Sequence, residues 1–559
     1  MGSIDRRIGI IFLAFLALLG TAVARATYLG AVRAGSLQRA AETQQVTTVT
    51  LPAERGAITD RNGNELAISE AADDVAADPY LIKDPLAVAK ALSPLLGKPT
   101  LTLLALLSKP RTGFVYLAHQ VPASRATAVL KLKLGGKPID GMTLIPQVTR
   151  IYPRSWAASQ VIGDIDWGVQ GPHGISGIEY RYNNVLSGRS GVRKVVNDAI
   201  GQPISIDSVK PTKAGKTIKL TLDAALQDEV EQVLAGVGAQ YSPKGATAII
   251  MNPNTGAILA LANWPRINAN DPNGAPTYAT QDRAVSFNYE PGSTFKAITV
   301  AGAMQDGLVN PSTPFDVPPV LQVADRQIHD AEAHGFETLS VANILKFSSN
   351  IGADLIGMKL GSSRFNYWVR RFGFGSPTGV DLPGEDGGII LPLSKYSGST
   401  MGNLPFGQGE SVTPIQIAAA YSAIANGGIL RPPHIVGAIG GKPTKVPAGH
   451  RIISTSTAAE LRNMLIGVYG DGGTASGAGI PGYEMAGKTG TASIAINGHY
   501  SSTEYIASFV GMVPANHPQL LGLVVVDRPQ GAIYGGSVAA PAFQKIVGWA
   551  VPHFGLLPR

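Results

Sequence analysis

The apolar positions of this chain form one uninterrupted run near the N-terminus and periodic patterns elsewhere. The run from Ile8 to Ala24 is 17 residues long, carries no charge and follows Arg6 and Arg7. That length is at the short end for a transmembrane helix, and arginines ahead of the run favour an N-terminus that stays in the cytoplasm. We therefore expect a membrane anchor and an exported remainder; the small residues at 22–24 leave a cleaved signal peptide as the alternative.

Beyond residue 210 the pattern predicts a mixed domain of helices and strands. Apolar residues with helical spacing run from Leu222 to Val237, and two strand-like runs flank an N-P-N-T-G turn. The predicted elements are a helix over 222–237, a hairpin of 246–251 and 257–262, a helix between Thr413 and Gly427, strands over 506–513 and 520–526, and a closing helix over 537–551. Strands at both ends with helices between them indicate an α+β fold, an antiparallel sheet flanked by helices.

The region before that domain contains no catalytic motif. A polar helical stalk is expected from 33 to about 48, followed by short strand-like runs, turns and helices, and a linker at 208–215. A chain of 559 residues is too long to fold around a single hydrophobic core. We therefore divide it into an anchor at 1–32, an elongated pedestal domain at 33–210 and a C-terminal domain at 211–559.

Composition and charge narrow the functional classes. Hydrophobic residues make up 45% and charged residues 15% of the chain, which excludes a largely disordered protein. The absence of cysteine excludes disulfides, thiolate catalysis and cysteine-ligated metals. The net charge of +7 suits an anionic membrane surface or an acidic wall polymer. No nucleic acid partner is expected, because the chain has no nucleic-acid-binding signature and no dense basic stretch.

The histidines do not predict a metal site. His329 and His334 are five residues apart, which misses the i,i+4 spacing of a metal-binding helix, so they are expected in a polar loop with Asp330 and Glu332. The chain also lacks the G-x-S-x-G motif of many Ser-His-Asp hydrolases.

Three short motifs indicate the chemistry instead. S-x-x-K occurs at Ser293 and Lys296, S-x-N at Ser348 and Asn350, and K-T-G at 488–490. Together they form the serine acyl-transfer set of penicillin-binding proteins and class A β-lactamases. Any one of them occurs by chance in a chain of this length, whereas the ordered trio indicates acyl transfer.

The first motif pairs a nucleophile with a base. A serine hydroxyl needs a base to take its proton, and a lysine can serve. Residues three apart lie on one helix face, so Ser293 and Lys296 meet if a helix begins at Ser293, as the break at 290–292 and the apolar stretch at 297–304 predict. Burial and a nearby Lys488 both disfavour the charged lysine, so a neutral Lys296 is expected to act as general base.

The third motif is expected on an edge strand over 484–493. Its small residues let a substrate backbone approach closely, and a peptide can add to such an edge as an extra strand. Lys488, Thr489 and Thr491, around Gly490, offer the charge and hydroxyl groups that suit a terminal carboxylate.

The remaining roles follow from the same chemistry. Ser348 is expected to relay a proton to a leaving amine, and Asn350 to hold a substrate amide. The oxyanion hole is expected from the backbone N–H groups of Ser293 and Thr491. Serine acyl transfer needs no cofactor, and none is expected.

Further segments resemble the class B penicillin-binding proteins over nearly the whole chain. The resembling segments are R-G-A-I-T-D-R-N-G at 55–63, R-I-Y-P at 150–153, G-I-E at 177–179, E-P-G-S-T-F-K at 290–296, and G-Q-G at 407–409 with T-P-I-Q at 413–416. The first three resemble pedestal motifs, and the last two resemble segments of the transpeptidase domain. The resemblance implies a penicillin-binding transpeptidase domain above a pedestal of the dimerisation type.

Within the class, softer motifs favour the division-specific (septal) branch, the penicillin-binding protein 3 group. These motifs lie at 67–79, 346–350 and 527–541. The elongation-specific branch shares much of the same scaffold and is the alternative.

The resemblance implies a peptidoglycan D,D-transpeptidase of the bacterial cell membrane. Such an enzyme acylates its serine, here Ser293, with a D-Ala-D-Ala stem peptide, expels D-alanine and passes the acyl group to a neighbouring stem amine. The implied partners are stem peptides, inhibitory β-lactams, a lipid-linked glycan polymerase and other division proteins, with the catalytic domain outside the cytoplasm.

Two other interpretations use the same residues. One is a hydrolase, a D,D-carboxypeptidase or a β-lactamase, and the other is a β-lactam sensor or division scaffold with vestigial acylation. The large pedestal argues against a compact β-lactamase, the single apolar run argues against a sensor with several spans, and the intact trio argues against a vestigial site.

Overall fold

The computed structural model describes residues 2–35, 46–110, 112–168, 171–197 and 203–558. The chain divides into two compact units, and each is described by itself. The first unit comprises Met1–Glu54, Ala71–Thr149 and Gly188–Ala214, and the second comprises Arg55–Glu70, Arg150–Ser187 and Gly215–Arg559. The predicted domain boundaries at 32 and 210 stay a prediction.

The N-terminal helix is longer than the apolar run predicted. It spans Gly2–Thr27 and continues as a π-helical turn over Tyr28–Val32. Among the described residues, Arg6–Val32 is the one helix long and apolar enough to cross a membrane, with 27 residues and a mean hydropathy of 2.2. At a rise of 1.5 Å per residue it is about 40 Å long, which exceeds the hydrocarbon core of a bilayer.

The rest of the first unit, as far as the structure describes it, consists of three small sheets and three α-helices. Val46–Leu51, Gly191–Asn197 and Pro203–Lys210 form one antiparallel sheet, so the predicted linker at 208–215 begins inside a strand. Most of the predicted stalk at 33–48 lies outside the described residues. The remaining elements are the second half of Glu65–Ala77, Val115–Pro122, most of Met142–Ile151, the short strands Lys133–Leu134 and Lys137–Pro138, and the helices Pro85–Leu96, Thr100–Leu107 and Ala123–Leu130.

Local sequence explains where these helices begin and end. Asp84 caps Pro85–Leu96 by accepting a hydrogen bond of 3.0 Å from the backbone N–H of Ala87. Gly97 ends the helix with a φ of +63°, a left-handed conformation that favours glycine. Leu92 and Leu103 of neighbouring helices are fully buried in the core of the unit.

A five-stranded antiparallel sheet organises the second unit. Its strand order is Ile258–Trp264, Gly245–Met251, Leu520–Asp527, His499–Val513 and Ala486–Ile496. The hairpin and the two later strands lie where the sequence predicted them. The strand that carries K-T-G is at the edge, which confirms that prediction too.

Helices cover both faces of this sheet, because successive strand residues point to opposite sides. Ala248 and Ile250 pack with the helices Ala224–Tyr241 and Gly535–His553. Ile249 belongs to the second core, on the other face. The helices of that core are Arg283–Ser286, Lys296–Gln305, Val341–Phe347, Asn350–Leu360, Ser362–Arg371, Pro414–Ala425 and Thr455–Ile466. The α+β prediction is therefore confirmed.

The other elements of the second unit are short. The helices are Ser159–Ile162, Gly177–Arg181 and Asn183–Leu186, and the strands are Ile58–Thr59, the first half of Glu65–Ala77, Ile165–Gly168, Gly171–Gly174, Ile218–Leu220, Pro314–Val317, Leu321–Val323, Arg326–Ile328, Glu337–Ser340, Ile429–Leu430, Val436–Ile439, Lys442–Pro443 and His450–Arg451.

The three pedestal-like motifs meet in the second unit around one carboxylate. Glu179 is fully buried, and the guanidinium groups of Arg55 and Arg150 both contact it. Arg150 Nε donates to Glu179 Oε1 at 2.8 Å, and Arg55 Nη1 donates to Asn183 Oδ1 at 2.8 Å. Residues far apart in sequence are thus held together by a buried cluster of charges, which we call the Glu179 cluster.

Candidate active site

The first motif occupies a turn that leads into a buried helix. Gly292–Phe295 forms a 3₁₀ turn, and Lys296–Gln305 is the helix that follows. Gly292 has a φ of +53°, and a Cβ there would lie 3.1 Å from the carbonyl oxygen of Thr491. Glycine therefore lets the turn lie directly against the K-T-G strand. The next residue, Ser293, is partly exposed.

Lys296 links the first motif to the second. Its side chain is fully buried, and Nζ donates to Asn350 Oδ1 at 2.7 Å, to Ser348 Oγ at 3.2 Å and to the Ser348 carbonyl oxygen. Ser293 Oγ has no hydrogen bond to any of the residues that the structure describes. The sequence predicted that Ser293 and Lys296 share a helix face; the contacts show that the lysine amine is oriented by the second motif.

Burial controls the charge of both lysines. Burial lowers the pKa of Lys296 to about 7, although the carboxylates of Asp330 and Asp354 raise it. The pKa of Lys488 lies well below its ordinary value, first because of burial and then because of the neighbouring Lys296. Near neutral pH a substantial fraction of Lys296 is therefore a free amine, as a general base requires.

The second motif joins two helices at a left-handed residue. Ser348 follows Val341–Phe347 with a φ of +64°, and Ser349 caps the next helix, Asn350–Leu360, by accepting from the Gly352 N–H at 2.8 Å. This geometry places Ser348 Oγ between the two lysines, since it also accepts from Lys488 Nζ at 2.9 Å.

Both the oxygen and the nitrogen of the Asn350 side-chain amide form hydrogen bonds within the protein. Its Oδ1 accepts from Lys296, and its Nδ2 donates to the His329 carbonyl oxygen at 2.9 Å. Asn350 therefore connects the lysine to the loop that carries His329, in addition to lining the cleft described below. In these contacts Nδ2 uses one of its two N–H groups and Oδ1 one of its two lone pairs, so a substrate amide can bind to Asn350 while both hydrogen bonds remain.

Asp330 holds the second motif in place, a role that the sequence did not reveal. Its carboxylate accepts from Ser349 Oγ at 2.7 Å, from the Ile351 N–H at 3.0 Å and from the Asn350 N–H. His334 supports it: Nε2 lies 3.1 Å from Asp330 Oδ2, and Nδ1 lies 2.7 Å from the Gly335 carbonyl oxygen.

Replacing Asp330 by asparagine is expected to slow acylation by a labelled penicillin roughly tenfold to a hundredfold, since small displacements of catalytic groups have effects of that size. An amide accepts at one end only and loses part of the cap on Asn350–Leu360. Glu332→Gln, which changes an exposed carboxylate in the same loop, is the control. An Asp330→Asn rate within twofold of the wild-type rate would contradict this positioning role.

The side chains in and next to the third motif differ in their exposure. Lys488 and Thr489 are buried; Lys488 Nζ points to Ser348, and Thr489 Oγ1 donates to Thr474 Oγ1 at 2.8 Å. Thr491 is partly exposed, and its Oγ1 accepts from the Gly535 N–H at 3.0 Å. The structure thus brings Lys488 to Ser348 and leaves Thr491 partly exposed.

Gly490 is required by crowding on both sides of the edge strand. A Cβ at this position would lie 2.3 Å from Ser508 Oγ and 3.0 Å from Thr294 Cγ2. Real Cβ atoms do not approach other atoms so closely, so the K-T-G glycine is explained by packing against the first motif as well as by access for a substrate.

A cleft of about 240 Å³ lies above the first motif. Of the predicted residues, Ser293, Asn350 and Thr491 line it. Arg326, Gln408 and Tyr500 line it too. Gln408 lies in the G-Q-G segment, whereas no motif in the sequence pointed to Arg326 or Tyr500. Arg326 adds an exposed cation that suits an anionic substrate group.

Two family models match the chain. The model described as "Penicillin-binding Protein dimerisation domain" matches residues 50–220, and the model described as "Penicillin binding protein transpeptidase domain" matches residues 246–548.

Relatives match over nearly the whole length. The chain is 30% identical to the "Probable peptidoglycan D,D-transpeptidase PenA" of Neisseria meningitidis serogroup A, over 99% of this chain and 93% of the relative. It is 32% identical to "Peptidoglycan D,D-transpeptidase FtsI" of Escherichia coli K12, over 98% of this chain and 91% of the relative.

Solved structures share the fold. Penicillin binding protein 3 of Mycobacterium tuberculosis, complexed with ampicillin, superposes with a TM-score of 0.71 and 29% identity over 91% of this chain and 97% of that one. Penicillin Binding Protein 2X of Streptococcus thermophilus has a TM-score of 0.76 and 26% identity over 90% and 80%. With its dimerisation and transpeptidase domains, the chain belongs to the class B penicillin-binding proteins.

Proposed function

We propose that Ser293 is the nucleophile with which this peptidoglycan D,D-transpeptidase cross-links stem peptides. The observation that carries the proposal is the convergence of two buried lysines on one hydroxyl beside the cleft: Lys296 and Lys488 both donate to Ser348 Oγ. Such a pair keeps one amine free near neutral pH, and a free amine is what a serine nucleophile needs.

Acylation follows from this geometry. The hydroxyl oxygen of Ser293 attacks the carbonyl carbon of the D-Ala-D-Ala bond while its proton passes to Lys296 Nζ. The tetrahedral oxyanion is stabilised by the backbone N–H groups of Ser293 and Thr491. The proton moves through Ser348 to the amine of the leaving D-alanine, an ester remains on Ser293, and the amine of a neighbouring stem peptide takes the acyl group.

Substrate recognition is assigned to the exposed side of the edge strand. A stem peptide extends the sheet at Ala486–Ile496, because this strand has one unpaired edge. Thr491 and Arg326 line the cleft and bind the terminal carboxylate. Lys488, Thr489 and Gly490 support this site from behind, and Asn350 binds the substrate amide through its second N–H group and second lone pair. β-Lactams occupy the same cleft and acylate the same serine.

The N-terminal helix supports a single-pass anchor in the bacterial cell membrane. Arg6 and Arg7 favour a cytoplasmic N-terminus, which leaves the residues that follow the helix outside the cytoplasm. The likeness to FtsI fits the septal role that the sequence predicted. We assign a lipid-linked glycan polymerase and other division proteins as the partners, because cross-linking requires newly made strands.

The test is to map the acylated residue. The full chain in detergent is incubated with a labelled penicillin, digested and examined by mass spectrometry, and D-alanine release is then followed with a stem pentapeptide and an amine acceptor. A stable adduct on Ser293, with product that contains the acceptor, is expected. An adduct at another residue would refute the assignment, and rapid turnover of the penicillin would favour a β-lactamase.

A further inference from the structure

A second carboxyl group is buried close to the catalytic lysine. Asp354 lies on the helix Asn350–Leu360, is fully buried, and neither of its carboxyl oxygens has a hydrogen-bond partner among the described residues. Burial of a polar group without a partner is unfavourable by several kcal/mol in typical cases, and burial of an unpaired charge is worse. A carboxyl group in that position therefore needs an explanation.

Its place on the helix directs it toward Lys296. Asn350 and Asp354 are four residues apart and lie on one helix face, and Asn350 Oδ1 accepts directly from Lys296 Nζ. The charges that act on Asp354 are those of Lys296 and Asp330. The carboxylates that act on Lys296 are, reciprocally, Asp330 and Asp354.

Among the described residues, Lys296 and Asp330 are the charged groups that act on Asp354. The helix itself also carries Lys359, and the elements that pack against it carry Asp316 on Pro314–Val317 and Arg364, Arg370 and Arg371 on Ser362–Arg371, all five of them exposed. Lys346 on Val341–Phe347 is partly exposed, and its Nζ lies over the ring of Phe347. Lys488 is affected by the charge of Lys296 and is not among the charges that act on Asp354.

The two carboxyl groups beside Lys296 differ in how they are held. Asp330 accepts hydrogen bonds from Ser349, from two backbone N–H groups and from His334, so its charge is already stabilised. Asp354 has no such partner. The charge that can balance its carboxylate is therefore that of Lys296.

We propose that Asp354 is a positioning residue that acts through Lys296: its buried carboxylate balances the ammonium group that forms when Lys296 takes the proton of Ser293. In this step the O–H bond of Ser293 breaks and an N–H bond forms on Lys296, with Asp354 as the fixed counter-charge. The proton then passes through Ser348 to the leaving amine, which restores the free amine. The inference rests on the proposed role of Lys296 as general base.

The mutual effects of the two groups on their pKa values support this coupling. Burial raises the pKa of Asp354 and the charge of Lys296 lowers it, while burial lowers the pKa of Lys296 to about 7 and the charge of Asp354 raises it. The ammonium form of Lys296 and the carboxylate form of Asp354 therefore stabilise each other. Without Asp354, Lys296 loses one of the two carboxylates that raise its pKa, and it becomes a free amine at lower pH.

The experiment measures the acylation rate of the full chain in detergent from pH 5.5 to 9, with a fluorescent penicillin. For the wild type, the rate is expected to rise with pH with a midpoint near 7, the pKa of Lys296. Asp354→Asn is expected to move that midpoint down by about one pH unit and to lower the alkaline plateau severalfold, because a weaker base is left. Asp316→Asn, an exposed carboxylate on a packed strand, should change neither.

The controls separate the possible failures. If Asp354→Asn does not fold, as judged by near-ultraviolet circular dichroism, Asp354→Ser provides the same test with a smaller neutral side chain. A lowered plateau with an unchanged midpoint would mean a merely structural role and would overturn the inference. A wild-type chain with no adduct on Ser293 at any pH would overturn the proposed function itself.

Discussion

Replacing Ser293 by alanine and replacing Lys296 by methionine are each expected to slow acylation by a labelled penicillin by at least about 10⁴-fold. Alanine removes the oxygen that forms the ester. Methionine fills the buried position of Lys296 and removes the amine that Asn350 and Ser348 orient. The second-order rate constant of acylation, measured by rapid quench and gel fluorescence, checks both variants.

The double variant is a sharper test, because residues that act as a unit have effects that do not add. Ser293→Ala with Lys296→Met is expected to be no slower than either single variant. Lys359→Met, which changes an exposed lysine, should leave the rate near that of the wild type. A Lys296→Met rate within about tenfold of the wild-type rate would refute Lys296 as the base.

Replacing Glu179 by glutamine is expected to destabilise the folded protein by about 3–5 kcal/mol, which is typical when one member of a buried ion pair is removed. Glu179 is 0% exposed, and Arg55 and Arg150 are 3% and 8% exposed. Without the carboxylate, two guanidinium groups remain buried next to each other with no counter-charge. The midpoint of urea unfolding, followed by tryptophan fluorescence, measures the loss.

Two comparisons test the cause of this loss. Glu65→Gln neutralises an exposed glutamate in the second unit and should shift the midpoint very little. A triple variant with leucine at 55, 150 and 179 should recover most of the stability, because no unpaired charge is left in the interior. If Glu179→Gln unfolds at the wild-type midpoint, the Glu179 cluster does not hold the second unit together.

Much of the active site could be predicted from the sequence, because the residues of each motif lie close together along the chain. Ser293 and Lys296 are three residues apart, and apolar residues after them specify a buried helix. The K-T-G strand was predicted at a sheet edge from its small residues, and the hairpin of 246–251 and 257–262 from its alternation and its turn. Each of these features depends on neighbours within a few residues along the chain, so periodicity and composition are sufficient.

The residues that contact these motifs from other segments of the chain could not be predicted in the same way. Asp330 lies about 20 residues before the helix that it caps, and the sequence around it suggested only a polar loop. Asp354 looks like an ordinary polar residue of a helix until the packing shows that it is buried beside Lys296. Lys488 had been expected to present its charge to a carboxylate, but the strand buries it and directs Nζ to Ser348.

The sequence by itself therefore determined the class of chemistry, the order of the motifs and the apolar N-terminal helix. These depend on residue identity and local spacing, which the chain carries directly. The tertiary structure decided which groups are buried, which carboxylates act on Lys296, and that Arg55, Arg150 and Glu179 meet around one charge. The physical reason is that pKa values and ion pairing depend on burial and on distances through space, and both arise only when segments far apart in the chain pack together.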